Sequence, residues 1–381
     1  MAYLRRVCSL AAGLVCLCAL PAMGQDCLEY QPPPWLDTSA DPGAPHVERS
    51  YQIEGLLWRG AEFLLVNVGN EISIFTPEGT KRGWSTFNVP PFGDRDYNLF
   101  NFSVCNDCSI GVANYETQGS VVFEFRDHIT PSFIRHVYYP SAGAVGSFTY
   151  SNGGSQFVIT AAFSDTSTLY RANDVDQSTW ESLQVFRKPG GGRLLIEAGV
   201  RVGPAIYLVD SDQTVSIYRP LDTDRIEYVG EAFHGTNLRG HGISYDPDEQ
   251  LMLTGGAWGV EMYDVSDPFA PSLVKSWNPN PIRFENRTAI DYPLGWVASA
   301  SAIGSGATWL YDLRTNPPTV VDPQFWNNLP ITTYVSNQDG YLKDGKLIYS
   351  GYSVILEMSV CELLTPDIFA DDFESGDISA W

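Results

Sequence analysis

The chain has 381 residues, of which 13% are aromatic and only 18% are charged, with 34 glycines and 25 prolines. This composition is typical of strands joined by many turns and argues against a helical protein. The formal net charge of −22 argues against binding of nucleic acid or of an anionic membrane surface.

Residues 1–24 have the organisation of a signal peptide. Arg5 and Arg6 precede a run of 14 mostly apolar residues from Val7 to Leu20, and small residues stand before a cleavage point at Gln25. The run is too short to span a bilayer, so we expect no membrane span in the mature chain. Removal of the two arginines changes the net charge from −22 to −24. The mature protein is therefore expected to be secreted, periplasmic or at the cell surface.

Residues 25–50 contain three successive prolines at 32–34 and a further Asp41-Pro42-Gly43 turn signal. Such clusters are typical of turns and loops, so an irregular lead-in is predicted over 25–50.

A strand pattern that ends in an aromatic or large apolar residue recurs seven times along residues 51–361. The seven positions are Phe75, Phe125, Tyr170, Tyr218, Tyr263, Tyr311 and Met358. Steps of 45 to 50 residues between strand-rich units predict an all-β, seven-bladed β-propeller with four-stranded antiparallel blades. A β-solenoid and a pair of β-sandwiches are the alternatives.

The seventh repeat lacks an outer strand, and residues 47–53 are predicted to supply it. The N- and C-terminal segments would then close the ring together. The mature chain keeps four cysteines, Cys27, Cys105, Cys108 and Cys361, and an even number in an exported chain indicates disulfides. Three pairings are open. Propeller topology favours Cys27 with Cys361 across the closure, and Cys105 with Cys108 as a local link.

One end of the channel is the expected ligand site, because inner strands and their connecting loops converge there. Alignment of the repeats places mostly polar residues at the beginning of each inner strand. His241 is chemically distinctive among them because it lies between two glycines. The candidate ligand-binding residues are Gln52, Asn101, Ser147, Glu197, Arg239, His241, Asn286 and Asn337.

The segment 260–277 contains Asp264-Val265-Ser266-Asp267-Pro268 after an apolar strand, with Pro271 three residues later. This pattern resembles the LVIVD-repeat family of bacterial exported propellers, and the match is partial at 311–321 and 121–139. The resemblance implies an exported propeller and no catalytic residues. Physically the motif predicts a turn, since Asp and Ser accept backbone hydrogen bonds and Pro ends the strand.

Residues 362–381 form an acidic tail without any basic residue. The tail resembles short acidic ends of exported gammaproteobacterial proteins and indicates a bacterial source. A sorting tag, a disordered acidic end and the first strand of a truncated jelly-roll remain open.

No Gly-x-Ser-x-Gly or His-Glu-x-x-His motif is present, which favours a non-enzymatic role. We expect a monomeric binding protein for an extracellular protein, peptide or glycan, without a cofactor. A metal-assisted hydrolase or lyase in the same channel and a surface-displayed structural module are the alternatives. Calcium or another divalent cation could bind at Asp210 and Asp212 or at Asp246, Asp248 and Glu249, although both groups fall at expected turns.

Overall fold

The fold consists of β-strands arranged as a β-propeller. Within the described residues the only helix is a three-residue 3-10 helix, Gln177–Thr179. The computed structural model describes residues 28–37, 50–68, 71–86, 101–106, 108–115, 119–125, 133–139, 146–161, 166–187, 189, 196–210, 214–222, 224–232, 240–256, 259–277, 285–291, 296–301, 309–313, 316–321, 339–350 and 354–360.

The described strands form seven four-stranded sheets, and every described pair of hydrogen-bonded neighbours is antiparallel. The first sheet contains β2 (Ser50–Trp58), β3 (Ala61–Val68), β4 (Glu71–Phe75) and β5 (Lys81–Thr86). The second contains β6 (Asn101–Val104), β7 (Ile110–Tyr115), β8 (Gly119–Phe125) and β9 (Phe133–Tyr139). The third contains β10 (Gly146–Asn152), β11 (Ser155–Ala161), β12 (Ser167–Arg171) and β13 (Glu181–Phe186). The fourth contains β14 (Ile196–Val202), β15 (Ala205–Asp210), β16 (Val215–Leu221) and β17 (Arg225–Ala232).

The remaining three sheets continue this order along the chain. The fifth contains β18 (Gly240–Asp246), β19 (Leu251–Gly256), β20 (Gly259–Asp264) and β21 (Ser272–Trp277). The sixth contains β22 (Glu285–Asp291), β23 (Trp296–Ser301), β24 (Trp309–Asp312) and β25 (Thr319–Val321). The seventh contains β26 (Asp339–Lys343), β27 (Lys346–Ser350), β28 (Val354–Val360) and, beside β28, the N-terminal strand β1 (Leu28–Asp37).

Contacts between the sheets follow a ring. The first strand of each sheet contacts the first strand of the next sheet, and β26 of the seventh contacts β2 of the first. The hydrophobic clusters lie between neighbouring sheets: Leu65 and Ile74 of the first sheet, for example, pack with Phe102 and Phe123 of the second. These contacts bury both faces of a sheet, and this burial explains why strands such as β15 read as continuous apolar runs.

The recurring aromatic positions lie on the third strand of each sheet, as the repeat predicted. Tyr218, Tyr263 and Tyr311 are buried at sheet interfaces, and Met358 fills the corresponding place in the seventh sheet. A large side chain at this position therefore supplies the apolar surface that holds successive sheets together. The all-β propeller arrangement is confirmed.

The prediction for the closing strand was wrong in its location. Residues 50–53 belong to β2, the first strand of the first sheet, and β1 (Leu28–Asp37) is the outer strand of the seventh. The lead-in is thus not irregular over 28–37. Its three prolines are accommodated because β1 is an edge strand, and the register shifts between Gln31 and Leu36, the interval that contains them.

The local disulfide is confirmed. Cys105 and Cys108 are bonded, with their Cα atoms 5.2 Å apart, in the turn between β6 and β7. Cys27 and Cys361 lie outside the described residues.

Candidate functional site

The antiparallel order gives the propeller two different ends. One end, here called the entry end, is where the first strand of each sheet begins. The opposite end, here called the hairpin end, carries the turns that join first to second strands and third to outer strands. Most of the predicted ligand-binding residues belong to the entry end, because they stand at the beginning of first strands.

The first strands of four sheets contain a β-bulge near their beginning. In β14, Ile196 pairs with Asp210 of the second strand and Ala198 pairs with the adjacent Val209. One residue of β14 between these two pairs therefore has no partner in the second strand. The same irregularity occurs in β2, β18 and β22. The four extra residues are Tyr51, Glu197, His241 and Asn286.

The four bulges are structurally equivalent. In each sheet, the second-strand residue that pairs with the recurring aromatic position serves as a common reference point. Counted along the second strand from this reference residue, the bulge of the first strand lies opposite the third and fourth residues in all four sheets. The residue pairs opposite the bulges are Asn67 and Val68, Val209 and Asp210, Gly255 and Gly256, and Ala300 and Ser301.

A bulge leaves one residue unpaired in the ladder and bends the strand, which changes the direction of the local side chains. A single bulge carries little information. The same bulge repeated in four of the seven described sheets, always at the entry end, defines a partial ring of irregular positions. This ring, formed by Tyr51, Glu197, His241 and Asn286, is called the bulge ring below.

Three predicted residues, Glu197, His241 and Asn286, are members of the bulge ring. Gln52 is paired with Asn67 and directly follows the bulged Tyr51. Asn101 is the first residue of β6 and pairs with Asn114. Sequence reasoning missed Tyr51, although its place one residue before Gln52 was the available signal. Arg239 and Asn337 lie outside the described residues.

Ser147 has a different environment, at the interface of the second and third sheets. It is buried, and its hydroxyl donates to Oδ1 of Asn114 at 3.2 Å. Nearby, the hydroxyls of Ser103 and Thr149 lie 3.1 Å apart, and the Thr149 amide donates to Oγ of Ser103 at 2.9 Å. These bonds satisfy buried polar groups and link two sheets.

Of the acidic residues considered for calcium, Asp246, Asp248 and Glu249 occupy a turn at the hairpin end, whereas Asp210 ends β15 at the entry end. Oδ1 of Asp246 accepts hydrogen bonds from the amides of Asp248 at 2.9 Å and Glu249 at 3.2 Å. This is the turn chemistry expected of Asp. Asp212 lies outside the described residues. In the part of the chain that the structure describes, no group of three or more His, Cys, Asp or Glu residues could hold a metal ion.

The hairpin end is linked sideways from sheet to sheet. Oδ1 of Asn106 accepts from the Leu57 amide at 2.9 Å, and Gln156 bonds both the Ile110 amide and the Ser109 hydroxyl. Further links join sheets three and four, five and six, and seven and one; their donors are Asn152, Arg201, Lys275, Lys343 and Lys346. The neighbouring sheets of these five pairs are thus fixed to one another away from the bulge ring.

The turn formed by Asp264-Val265-Ser266-Asp267-Pro268 belongs to this system of links. Oδ1 of Asp264 accepts from the Ser266 amide at 2.8 Å, and this bond lowers the pKa of the Asp264 carboxyl. The hydroxyl of Tyr207 in the fourth sheet donates to the Pro268 carbonyl at 2.8 Å. The turn prediction is confirmed, and the motif also joins the fifth sheet to the fourth.

A buried acid–phenol pair fixes the third strand of the fifth sheet. The Tyr263 hydroxyl donates to Oε2 of Glu261 at 2.6 Å, and both residues are buried. Burial, followed by the hydrogen bond and the charge of Glu261, raises the pKa of Tyr263, so this phenol remains a neutral donor.

Among the described residues, no helix has the length and apolar character required to cross a membrane. No protein-family model matches the chain. A search of curated proteins found no significant match. The resemblance of residues 260–277 to the LVIVD-repeat family therefore stays a prediction.

Proposed function

We propose that this chain is an exported binding protein that captures a protein, peptide or glycan at the entry end of its propeller. The observation that carries the proposal is the bulge ring. Three residues selected from the sequence as ligand contacts occupy equivalent bulged positions in three neighbouring sheets. Bulges are over-represented next to functional sites, where they re-aim side chains.

The residue types of the bulge ring suit a polar ligand. Tyr51 supplies an aromatic ring and a hydroxyl, Glu197 a carboxylate, His241 an imidazole and Asn286 an amide. Together they offer both hydrogen-bond donors and acceptors, as required for sugar hydroxyls or a peptide backbone. The sideways links at the hairpin end provide the rigid support that a precise binding site needs.

We also infer that the seven sheets form one closed, seven-bladed ring. The contacts from first strand to first strand around all seven sheets support this inference, as does the pairing of β1 with β28. Export rests on the signal peptide of residues 1–24. The measurement for export is the N-terminal sequence of the protein recovered outside the cytoplasm, which should begin at Gln25.

The binding proposal is tested with immobilised mature protein on panels of glycans and peptides. The double variant His241→Ala/Asn286→Ala should lose at least about tenfold in affinity for the best-retained probe, equivalent to about 1.4 kcal/mol. Its thermal midpoint should equal that of the wild type. The matched control is Asp248→Ala/Glu249→Ala, which changes two exposed residues at the hairpin end.

Retention of the probe by the entry-end variant at wild-type affinity contradicts the proposal. So does a wild-type protein that retains no member of either panel. Loss of binding in the hairpin-end control alone would move the site to the opposite end of the propeller.

A metal-assisted hydrolase or lyase is the second candidate function. It is favoured by the positions of Glu197 and His241, which occupy equivalent bulges in adjacent sheets whose first strands are in contact. Carboxylate and imidazole are both ligands of divalent transition metals, and Glu197 could alternatively act as a general base. Metal content of protein purified without chelator separates the candidates. Metal-free protein whose thermal midpoint does not rise with zinc, manganese or calcium excludes this second function.

A further inference from the structure

We infer that the propeller is locked covalently by a disulfide between Cys27 and Cys361. In the pairing of β1 with β28, Leu28 lies opposite Val360, Glu29 opposite Ser359 and Tyr30 opposite Met358. The two residue numbers sum to 388 in every one of these pairs. The next pair in the same register is 27 with 361, and both residues are cysteines.

The spacing of an antiparallel ladder suits such a bond. Opposed Cα atoms in antiparallel strands lie about 4.5 or 5.5 Å apart, depending on the type of pair. Disulfides require Cα separations of about 4.4 to 6.8 Å. A pair of cysteines that continues the register of β1 and β28 would therefore meet the distance requirement of a disulfide.

The position of this pair is special within the ring. In the other six sheets the third strand continues along the chain into the outer strand at the hairpin end. In the seventh sheet the corresponding strands are β28 and β1, which come from opposite ends of the chain. The disulfide would supply, at the same end, the covalent connection that this sheet otherwise lacks.

Non-covalent contacts already hold β1 against its neighbours. Nε1 of Trp35 donates to Oε2 of Glu357 at 2.8 Å, and the Trp35 ring stacks on Phe75 of the first sheet with centroids 5.7 Å apart. Nε2 of Gln31 donates to Oγ of Ser359 at 3.1 Å. The strand thus joins the seventh sheet to the first, and a covalent lock beside it prevents the ring from opening there.

The chemistry is a two-electron oxidation. The two thiols lose two protons and two electrons, and one S–S bond forms between the sulfur atoms. The acceptor is a small-molecule or protein disulfide, which is reduced to two thiols. An exported chain meets such oxidants outside the cytoplasm.

The direct test is peptide mapping of the exported protein under non-reducing conditions, with free thiols alkylated first. Trypsin should give one linked species that joins the peptide ending at Arg49 to the peptide beginning at Leu347. Cys105 and Cys108 should remain together within the peptide 96–126. Alkylated Cys27 and Cys361, or a link from either to Cys105 or Cys108, would falsify the inference.

The second measurement is the thermal midpoint. Cys27→Ser and Cys361→Ser should each lower it by about 5 to 10 °C, because the bond closes a loop of more than 300 residues. The double variant should equal the single variants, since all three lack the same bond. Reductant should reproduce the loss in the control Cys105→Ser/Cys108→Ser. It should lower the midpoint of Cys27→Ser/Cys361→Ser far less, because the remaining Cys105–Cys108 bond joins residues only 3 apart in sequence. Additive losses in the double variant would contradict a shared bond.

Discussion

The hairpin end and the entry end of this propeller are built from the same strands and differ in which strands depart from regular pairing. At the hairpin end the ladders between first and second strands run to the turns, while the outer strands of five sheets shift register beside the recurring aromatic position. Side chains such as Asn106 and Gln156 bond the backbone of the adjacent sheet there. At the entry end the first strands of four sheets are interrupted by a bulge. The hairpin end carries the side-chain links between sheets and shifts register only in outer strands, whereas the entry end shifts register in first strands, which are the strands that contact one another around the sheets.

Under the proposed function, this difference separates residues that stabilise the fold from residues that contact the ligand. Residues near the end of a first strand contribute to the frame, whereas the four residues of the bulge ring lie near the beginning of theirs. Ser147, also near such a beginning, belongs instead to the interface of the second and third sheets. Substitutions at the two ends should therefore differ in what they change: the free energy of unfolding at one end, and ligand affinity at the other.

The largest effect is expected from Trp35 in the closing strand. Trp35→Ala removes the stack on Phe75 and the hydrogen bond to Glu357, and should cost about 3 kcal/mol of unfolding free energy. Trp35→Phe is the matched control, because it keeps an aromatic ring and loses only the hydrogen bond to Glu357. It should lower the unfolding free energy by about 1 kcal/mol. Chemical denaturation measures both. Two variants as stable as the wild type would show that β1 does not hold the ring.

A smaller effect is expected from Gln156, which connects the third sheet to the second. Gln156→Ala leaves the Ile110 amide and the Ser109 hydroxyl without this partner and should cost about 2 kcal/mol. Gln156→Glu keeps an acceptor for the Ile110 amide and should lose less. If Gln156→Ala lowered the unfolding free energy by less than about 0.5 kcal/mol, the hairpin end would not stabilise the interface between the second and third sheets more than the entry end does.

Acid should weaken the hairpin end through Asp264. Its folded-state pKa is lowered below the ordinary value of 3.8 by the hydrogen bond from Ser266. The carboxylate therefore stabilises the fold above pH 3.8, and this contribution is lost as the pH falls through the lowered pKa. Asp264→Asn keeps an acceptor that cannot ionise. The wild type should have the higher thermal midpoint at pH 7, and the difference should disappear on acidification; a constant difference contradicts the assignment.

The smallest effect on stability is expected at the bulge ring, and two asparagines give a matched comparison. Asn106→Ala removes the acceptor for the Leu57 amide and should cost about 1 kcal/mol. Asn286→Ala should change the unfolding free energy by less than about 0.5 kcal/mol. Denaturant titrations of the two variants in parallel provide the test, and the comparison fails if Asn286→Ala is the more damaging.

The fold was largely predictable because a large side chain recurs in the sequence of the third strand of each sheet. Residues such as Tyr218 and Tyr263 recur at a fixed period since each must fill the same interface between sheets. The closing strand was misplaced because β1 has no counterpart in the repeat and its prolines argue for a loop. The pairing of β1 with β28 brings together two segments from opposite ends of the chain. Such a long-range contact cannot be predicted from the local sequence of either segment.

The candidate site was predictable only in part. Glu197, His241 and Asn286 stand out because they are polar residues at the beginning of first strands. The bulges themselves left no local signal, since an extra residue is defined by the pairing of two strands. Tyr51 was missed for this reason: the alignment of the repeats placed Gln52 near the entry position of the first repeat, and the unpaired residue is its neighbour.

The three prolines of the closing strand have one more consequence. Pro32, Pro33 and Pro34 carry no backbone N–H, and β1 forms the outer edge of the seventh sheet. An additional strand approaching that edge meets no donors over these three residues, so it cannot extend the sheet through them. The strand that completes the propeller thus also discourages edge-to-edge aggregation between copies.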